Sequence, residues 1–79
     1  MRLDKWLKVS RLIKRRTVAQ EACDGGRVSV NGKTAKPAQD VKPGDVVEIS
    51  FGVRKVRAEV LSVQETVKKD DAAAMYREI

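Results

Sequence analysis

The sequence contains no histidine and a single cysteine, Cys23, among its 79 residues. Histidine is the side chain that most often acts as a general base near neutral pH and most often binds metals. One cysteine excludes an internal disulfide and the usual zinc-binding spacings, and no glycine-rich phosphate loop is present. We therefore predict a protein that is not an enzyme, with no catalytic residue, metal site or cofactor. Cys23 is expected to be a small core residue.

Long apolar runs are also missing. None approaches the about 18 residues that a membrane-spanning helix needs, and the amino end lacks the uninterrupted apolar stretch of a signal peptide. A lone cysteine is compatible with a reducing compartment. These absences predict a cytoplasmic protein without membrane contact. The length fits one small domain with a thin core, which we expect to be a monomer.

Aromatic residues are few: Trp6, Phe51 and Tyr76 are the whole set. Trp6 shares a helical face with Leu3 and Leu7, which predicts a core position. Without a row of exposed aromatic rings, binding of single-stranded nucleic acid through base stacking is disfavoured.

Positive charge, by contrast, is abundant and localised. The first 16 residues carry seven lysines and arginines against one acidic residue, whereas the other 63 residues carry ten of each sign, so the amino end holds the whole net charge of +6. Such a cluster favours a polyanionic partner, of which nucleic acid is the commonest. Three other interpretations stay open: a solvated face, a surface for an acidic protein partner, and a basic amphipathic segment at a membrane surface.

Helical periodicity marks two segments near the amino end. Residues 3–9 have apolar side chains at i, i+3 and i+4, and residues 17–24 follow a Thr17–Gln20 pair that has the form of a capping box. Gly25 is expected to end the second helix. The intervening residues 10–16 are predicted to be a linker that sends Leu12 and Ile13 into the core.

Alternating apolar residues mark the strands that follow. We predict strands over 28–30, 33–36, 46–51 and 56–63, with a two-residue hairpin turn at Asn31-Gly32. Val18 is placed on the apolar face of the second helix, and Phe51 on the apolar face of its strand. Residues 70–78 are expected to form a short helix that Asp70 caps.

The predicted fold class is α+β, with two short N-terminal helices packed on a small, mostly antiparallel sheet. We divide the chain into a domain over 1–63 and a C-terminal tail over 64–79. Arg15 and Arg16 stand next to the predicted start of the second helix, where backbone N–H groups point outward. Guanidinium groups and these donors can converge on one phosphate.

Several sequence runs, in this order, resemble the αL RNA-binding motif, the domain family named after ribosomal protein S4. They are RLDKWL at 2–7, Arg16 ahead of Ala19, GRVSVNGK at 26–33, KP at 36–37 and PGD at 43–45. The resemblance covers about residues 1–63. It implies the two-helix and sheet architecture, with the helices forming the RNA-facing surface.

The MRLDKWLKVSRLIKRR start resembles stand-alone family members that act in bacterial ribosome-associated quality control. The resemblance implies binding to large-subunit rRNA and to peptidyl-tRNA on obstructed large ribosomal subunits, in support of a partner that adds a C-terminal tail to the stalled chain. A heat-shock-type factor that recycles large subunits with nascent chains is the alternative within the family. By resemblance, Asp4 orients a neighbouring arginine, and the expected RNA contacts are Arg2, Lys5, Lys8, Arg11, Arg15, Arg16 and Lys33.

Overall fold

The computed structural model describes residues 1–64 and 68–79, and two α-helices lie before a five-stranded sheet in that part of the chain. Helices α1 and α2 comprise Leu3–Val9 and Arg16–Asp24. The strands are β1 (Val28–Val30), β2 (Lys33–Thr34), β3 (Val46–Phe51), β4 (Arg54–Val60) and β5 (Tyr76–Glu78), with a 3₁₀ helix over Lys69–Met75. The sheet order is β2-β1-β3-β4-β5, and every neighbouring pair is antiparallel. The predicted α+β class is confirmed.

The core lies between the helices and one face of the sheet. Alternation places Val47 and Ile49 of β3 inward, and both are buried. Trp6 of α1 is completely buried against them and donates a hydrogen bond from Nε1 to the carbonyl oxygen of Ser62, at 3.0 Å. The predicted core position of Trp6 is confirmed, and its polar edge fastens α1 to the chain beyond β4.

The predicted hairpin turn is present. Asn31 and Gly32 have φ values of 52° and 84°, the two successive left-handed residues that a tight hairpin of this kind requires. The Asn31 side chain donates to a carboxylate oxygen of Asp45 at 3.1 Å and accepts from the backbone N–H of Val46 at 2.9 Å. The turn is therefore fixed to the start of β3 as well as closing its own hairpin.

The predicted capping box of α2 is wrong. The helix starts at Arg16, so Thr17 lies inside it, and Arg15 takes the extended cap conformation without a side-chain cap. The Gln20 side chain instead donates from Nε2 to the carboxylate of Asp4 at 2.9 Å, a charge-assisted hydrogen bond that orients it toward α1. Val18, predicted on the apolar face, is 44% exposed.

The sheet differs from the prediction at its ends. β2 stops at Thr34, and β4 runs over Arg54–Val60 and is not the last strand. Phe51 has the predicted alternation but is 44% exposed, because it lies at the end of β3 where the core does not cover it.

The chain beyond β4 forms a 3₁₀ helix and a strand where one helix over 70–78 was expected. Met75 is buried, and Tyr76 pairs with Val60 across the edge of β4. An exposed edge strand leaves backbone donors and acceptors unpaired, so adding β5 satisfies groups that a longer helix would leave open. The side chain of Asp70, the expected cap, lies outside the described residues.

Within residues 1–64 and 68–79, neither α-helix has the length and apolar character that crossing a bilayer demands.

Replacing Trp6 by phenylalanine should destabilise the fold by about 2 kcal/mol, because the Ser62 carbonyl loses its donor and the smaller ring leaves a void. Urea unfolding followed by circular dichroism measures the change. Val53→Ala is the control, since Val53 is fully exposed and its truncation should change stability by less than about 0.5 kcal/mol. An equal, small effect of both substitutions would contradict this account of the core.

Candidate nucleic-acid interface

The carboxylate of Asp4, in the first turn of α1, is the centre of the basic surface. Its side chain is 0% exposed. One oxygen accepts from the backbone N–H of Lys5 at 2.8 Å and from Nε of Arg2 at 3.2 Å. The other accepts from Nε2 of Gln20 at 2.9 Å and from Nε of Arg16 at 3.3 Å. A single buried anion thus joins the starts of both helices.

Helix geometry explains how the two arginines meet. Arg2 is the extended residue that precedes α1, and Arg16 is the first residue of α2. Asp4 on the first turn of α1 and Gln20 on the second turn of α2 connect the packed helices between them. The expectation that Asp4 orients a neighbouring arginine is confirmed and extended, because it holds two. Gln20 was missed as part of this site, since its spacing from Thr17 favoured a capping role.

Hydrogen bonding sets the ionisation of Asp4. Burial alone would raise the pKa of its carboxyl. Hydrogen bonds from Gln20, Arg16 and the Lys5 backbone outweigh burial, with a further contribution from the charge of Arg16, and they hold the pKa below its ordinary value. Asp4 is therefore anionic at neutral pH and keeps attracting both guanidinium groups.

The hydrogen bonds to Asp4 occupy only some of the donors of the two guanidinium groups. The side chains of Arg2 and Arg16 are 52% and 42% exposed. Each guanidinium has five N–H donors; Arg16 uses its Nε toward the carboxylate, and Arg2 uses Nε together with one terminal nitrogen at 3.4 Å. Two cations share one anion, so a positive excess remains at the surface, with free donors in the planar arrangement that phosphate accepts.

The other predicted contacts surround this pair or lie apart from it. Lys5 and Lys8 are one turn apart on α1, and Arg15 directly precedes α2. Arg11, in the loop after α1, lines an open groove at the far end of the sheet. Lys33 lies in the β1–β2 hairpin. The structure thus brings Arg2 and Arg16 into one cluster, whereas Arg11 and Lys33 belong to its margins.

Lys33 lines a polar groove of about 540 Å³ beside the hairpin. Lys42 and two carboxylates, Asp40 and Asp45, line it as well. The backbone of Arg2 forms a bridge with Asp40, so this groove borders the arginine cluster. Its mixed charge makes Lys33 a weaker phosphate contact than the arginines.

The outer face of the sheet carries cations that are paired with carboxylates across its strands, in contrast to the helix surface. Glu48 of β3 lies 3.9 Å from Lys55 and 3.6 Å from Arg57 of β4. Glu59 and Arg77 pair across β4 and β5 at 2.6 Å. The charge excess seen in the sequence is therefore also localised in space, on the side of the helices.

Cys23 is buried in α2, as predicted. Burial raises the pKa of its thiol to about 11, helped by the nearby carboxylates of Asp4 and Asp24. The thiol is protonated at neutral pH and is a poor nucleophile. In the part of the chain that the structure describes, no group of three or more acidic or cysteine side chains is arranged to hold a metal ion.

Comparison with known proteins identifies the family to which this fold and this arginine cluster belong. Residues 1–47, which include both helices, the Asp4 cluster and the β1–β2 hairpin, match the model of the S4 domain. This chain belongs to the S4 domain family. Over 76 residues this S4 domain protein is 57% identical to the "RQC P-site tRNA stabilizing factor" of Bacillus subtilis, a match that covers 96% of this chain and 88% of that protein. The factor of the same name from Streptococcus pneumoniae is also 57% identical, with 96% and 86% covered.

A solved structure shares the S4 domain fold. The trimeric structure of Vibrio cholerae heat shock protein 15 superposes with a TM-score of 0.91 at 31% identity, covering 100% of this chain and 81% of that chain. The two helices and five-stranded antiparallel sheet are thus the architecture of an S4-like protein.

Asp4→Asn should loosen both arginines at once. The amide keeps the shape of the carboxylate but loses its charge, which weakens hydrogen bonds from two guanidinium groups; we expect a loss of about 2 kcal/mol of stability. Urea unfolding measures it. Glu48→Gln is the matched control on the outer face, where exposed pairs contribute less than about 1 kcal/mol.

The pH dependence of this difference has a definite sign. Because the pKa of Asp4 is lowered in the folded protein, its stabilising contribution is complete above about pH 5 and is lost as the pH falls through the folded-state pKa. The stability gap between wild type and Asp4→Asn should therefore be constant near neutral pH and narrow in acid. A gap that widens in acid would contradict the hydrogen-bonding account.

Proposed function

We propose that this protein is a non-catalytic RNA-binding factor of ribosome-associated quality control. In this role it binds large-subunit rRNA and peptidyl-tRNA on obstructed large ribosomal subunits. It holds the tRNA while a tailing factor extends the stalled nascent chain at its C-terminus. The protein acts in the cytoplasm, as a monomer and without a cofactor.

The observation that carries the RNA-binding part is the Arg2–Asp4–Arg16 cluster. One buried carboxylate fixes two half-exposed guanidinium groups side by side. In the residues that the structure describes, no side chain caps the start of α2 next to Arg16, so backbone N–H groups of the first turn are free to add to a phosphate contact. Arginine forks and helix N–H donors together suit a structured RNA backbone.

The more specific role rests on the relatives. Identity of 57% over nearly the whole chain to factors named for stabilising P-site tRNA supports the same role here. The proposed contacts are, in chain order, Arg2, Lys5, Lys8, Arg11, Arg15, Arg16 and Lys33. We assign residues 1–63 to the RNA-binding unit and residues 64–79 to a C-terminal tail, in which β5 pairs with the edge of β4.

The alternative within the family is a heat-shock-type factor that recycles large subunits. The fold match to heat shock protein 15 supports it, but at the lower identity of 31%. Large subunits purified with the protein separate the two roles. Peptidyl-tRNA together with the tailing factor supports quality control, whereas nascent-chain subunits without that factor support recycling.

Arg2→Ala and Arg16→Ala should each release the protein from large subunits while leaving it folded. Each substitution removes a charged phosphate contact and one of the two guanidinium partners of Asp4, so we expect affinity to fall about tenfold and stability to fall less than in Asp4→Asn, which weakens both partners. Sucrose-gradient co-sedimentation measures the release, and circular dichroism checks the fold. Arg57→Ala, on the outer face of the sheet, is the matched control and should co-sediment normally. Unchanged co-sedimentation of both test variants would remove these arginines from the interface.

The salt dependence of binding reports the number of phosphates engaged. For about five contacts, log affinity should fall against log salt concentration with a slope of about −3 to −4, at about −0.7 per contact. Fluorescence anisotropy with a labelled rRNA fragment measures the slope, and Arg16→Ala should make it shallower by about one contact. A flat response, or binding to large subunits that survives nuclease, would favour an acidic protein partner instead.

A further inference from the structure

A second surface suited to RNA lies at the end of the sheet that the helices leave uncovered. An open groove of about 440 Å³ runs between the loop after α1 and the helix-facing side of β3, β4 and β5. Strand alternation places four of the lining side chains on the same face of the sheet as the hydrophobic core. They are Phe51, Arg54, Tyr76 and Glu78. The sequence placed Phe51 on the apolar face of its strand and showed no row of exposed aromatic rings, so base stacking on this surface was not expected.

We propose that this groove binds a short single-stranded RNA segment whose bases stack on Phe51 and Tyr76 and whose phosphates contact Arg11 and Arg54. The inference rests on the proposed RNA-binding function and adds a site for unpaired nucleotides to it. Base–aromatic stacking beside a positively charged groove is the general way in which proteins hold single strands.

The aromatic rings set the length of the occupant. Phe51 pairs with Arg54 at the hairpin end of β4, and Tyr76 pairs with Val60 six residues further along that strand. At about 3.4 Å per strand residue, the backbone positions of the two aromatic residues are about 20 Å apart along the strand direction. Phe51 is 44% exposed, and Tyr76 is half-buried. A run of several nucleotides spans this distance, whereas one base does not.

The charges in the groove fit a nucleic acid better than an apolar protein segment. Among residues 1–64 and 68–79, neither Arg11 nor Arg54 has a side-chain hydrogen bond or ion pair to another residue. Arg11 also belongs to the segment that connects α1 to Arg15 and Arg16 at the start of α2. Glu78 lines the groove too, and a carboxylate there accepts from exocyclic amino groups of bases.

The backbone at Arg11 is the strongest sign that this side chain has a function. Arg11 follows Ser10, the C-cap residue of α1, with a φ of 64°, the left-handed conformation that a glycine normally supplies just after a helix C-cap. A side chain there is strained. The loop nevertheless has an arginine here, and its side chain lines the groove. Binding of a ligand by this guanidinium would offset the cost of the strained backbone.

The first test compares two RNA hairpins that differ only in a short unpaired overhang carrying 2-aminopurine. Wild-type protein should bind the overhang hairpin roughly tenfold more tightly than the blunt one, and stacking should quench the 2-aminopurine fluorescence. Phe51→Leu keeps apolar bulk but removes the aromatic face, so it should abolish both the preference and the quenching while leaving blunt-hairpin binding unchanged. Val53→Ala, on the exposed turn beside it, is the control.

The second test separates groove charge from overall charge. Arg54→Gln and Lys55→Gln remove the same charge from adjacent residues that point to opposite faces of β4. Only Arg54→Gln should weaken the overhang preference. Arg11→Gly should unfold at a higher urea concentration than wild type, because the strain is relieved, and yet bind the overhang hairpin roughly tenfold more weakly.

The outcomes are distinct. Equal wild-type affinity for both hairpins, or an overhang preference that survives Phe51→Leu, would overturn the groove inference and leave the proposed function standing. Failure to bind either hairpin or the labelled rRNA fragment would overturn the proposed function itself. If Phe51→Leu keeps the overhang preference but loses co-sedimentation with large subunits, the groove holds a protein segment and not RNA.

Discussion

A buried carboxylate has to be compensated, and this requirement organises the functional end of the molecule. Removing Asp4 from water is unfavourable unless charged and hydrogen-bonding partners replace the lost hydration. The partners come from the start of α1 and the first two turns of α2. The same hydrogen bonds therefore hold the two helices together and fix the positions of Arg2 and Arg16. Two guanidinium groups share the one negative charge of Asp4. Compensating the buried carboxylate therefore leaves a net positive charge on the surface around Arg2 and Arg16.

Local patterns in the sequence predicted much of this architecture. Apolar spacing located both helices, Asn31-Gly32 located the hairpin, and the charge count located the basic surface. The errors have a shared physical origin in contacts between residues far apart in the chain. Gln20 donates a hydrogen bond to a carboxylate sixteen positions away. β5 is stabilised by backbone hydrogen bonds to the edge of β4. Alternation assigns Phe51 to a face of the sheet, but it does not tell whether a helix covers that end.

Family membership and geometry answer different questions about this protein. The S4 domain match and the relatives that are 57% identical over 76 residues support the role we propose. The atomic arrangement identifies which groups are held rigidly for contact and which remain at the margin. It also distinguishes Arg11, whose left-handed backbone is unfavourable for any side chain, from lysines that occupy ordinary helical positions. In so small a domain, a strained position whose cation has no partner among the described residues is more informative than a count of charges.

The outer face of the sheet has a consequence for how the molecule arrives at a partner. Glu48 and Glu59 pair with the three cations beside them, so that side of the molecule carries little net charge while the helix side is strongly positive. This uneven distribution of charge gives the protein a dipole moment that points toward the helices. The electric field of a polyanion orients such a molecule before contact, with the helix side facing the polyanion. Collisions through the helix side are therefore favoured over collisions through the sheet.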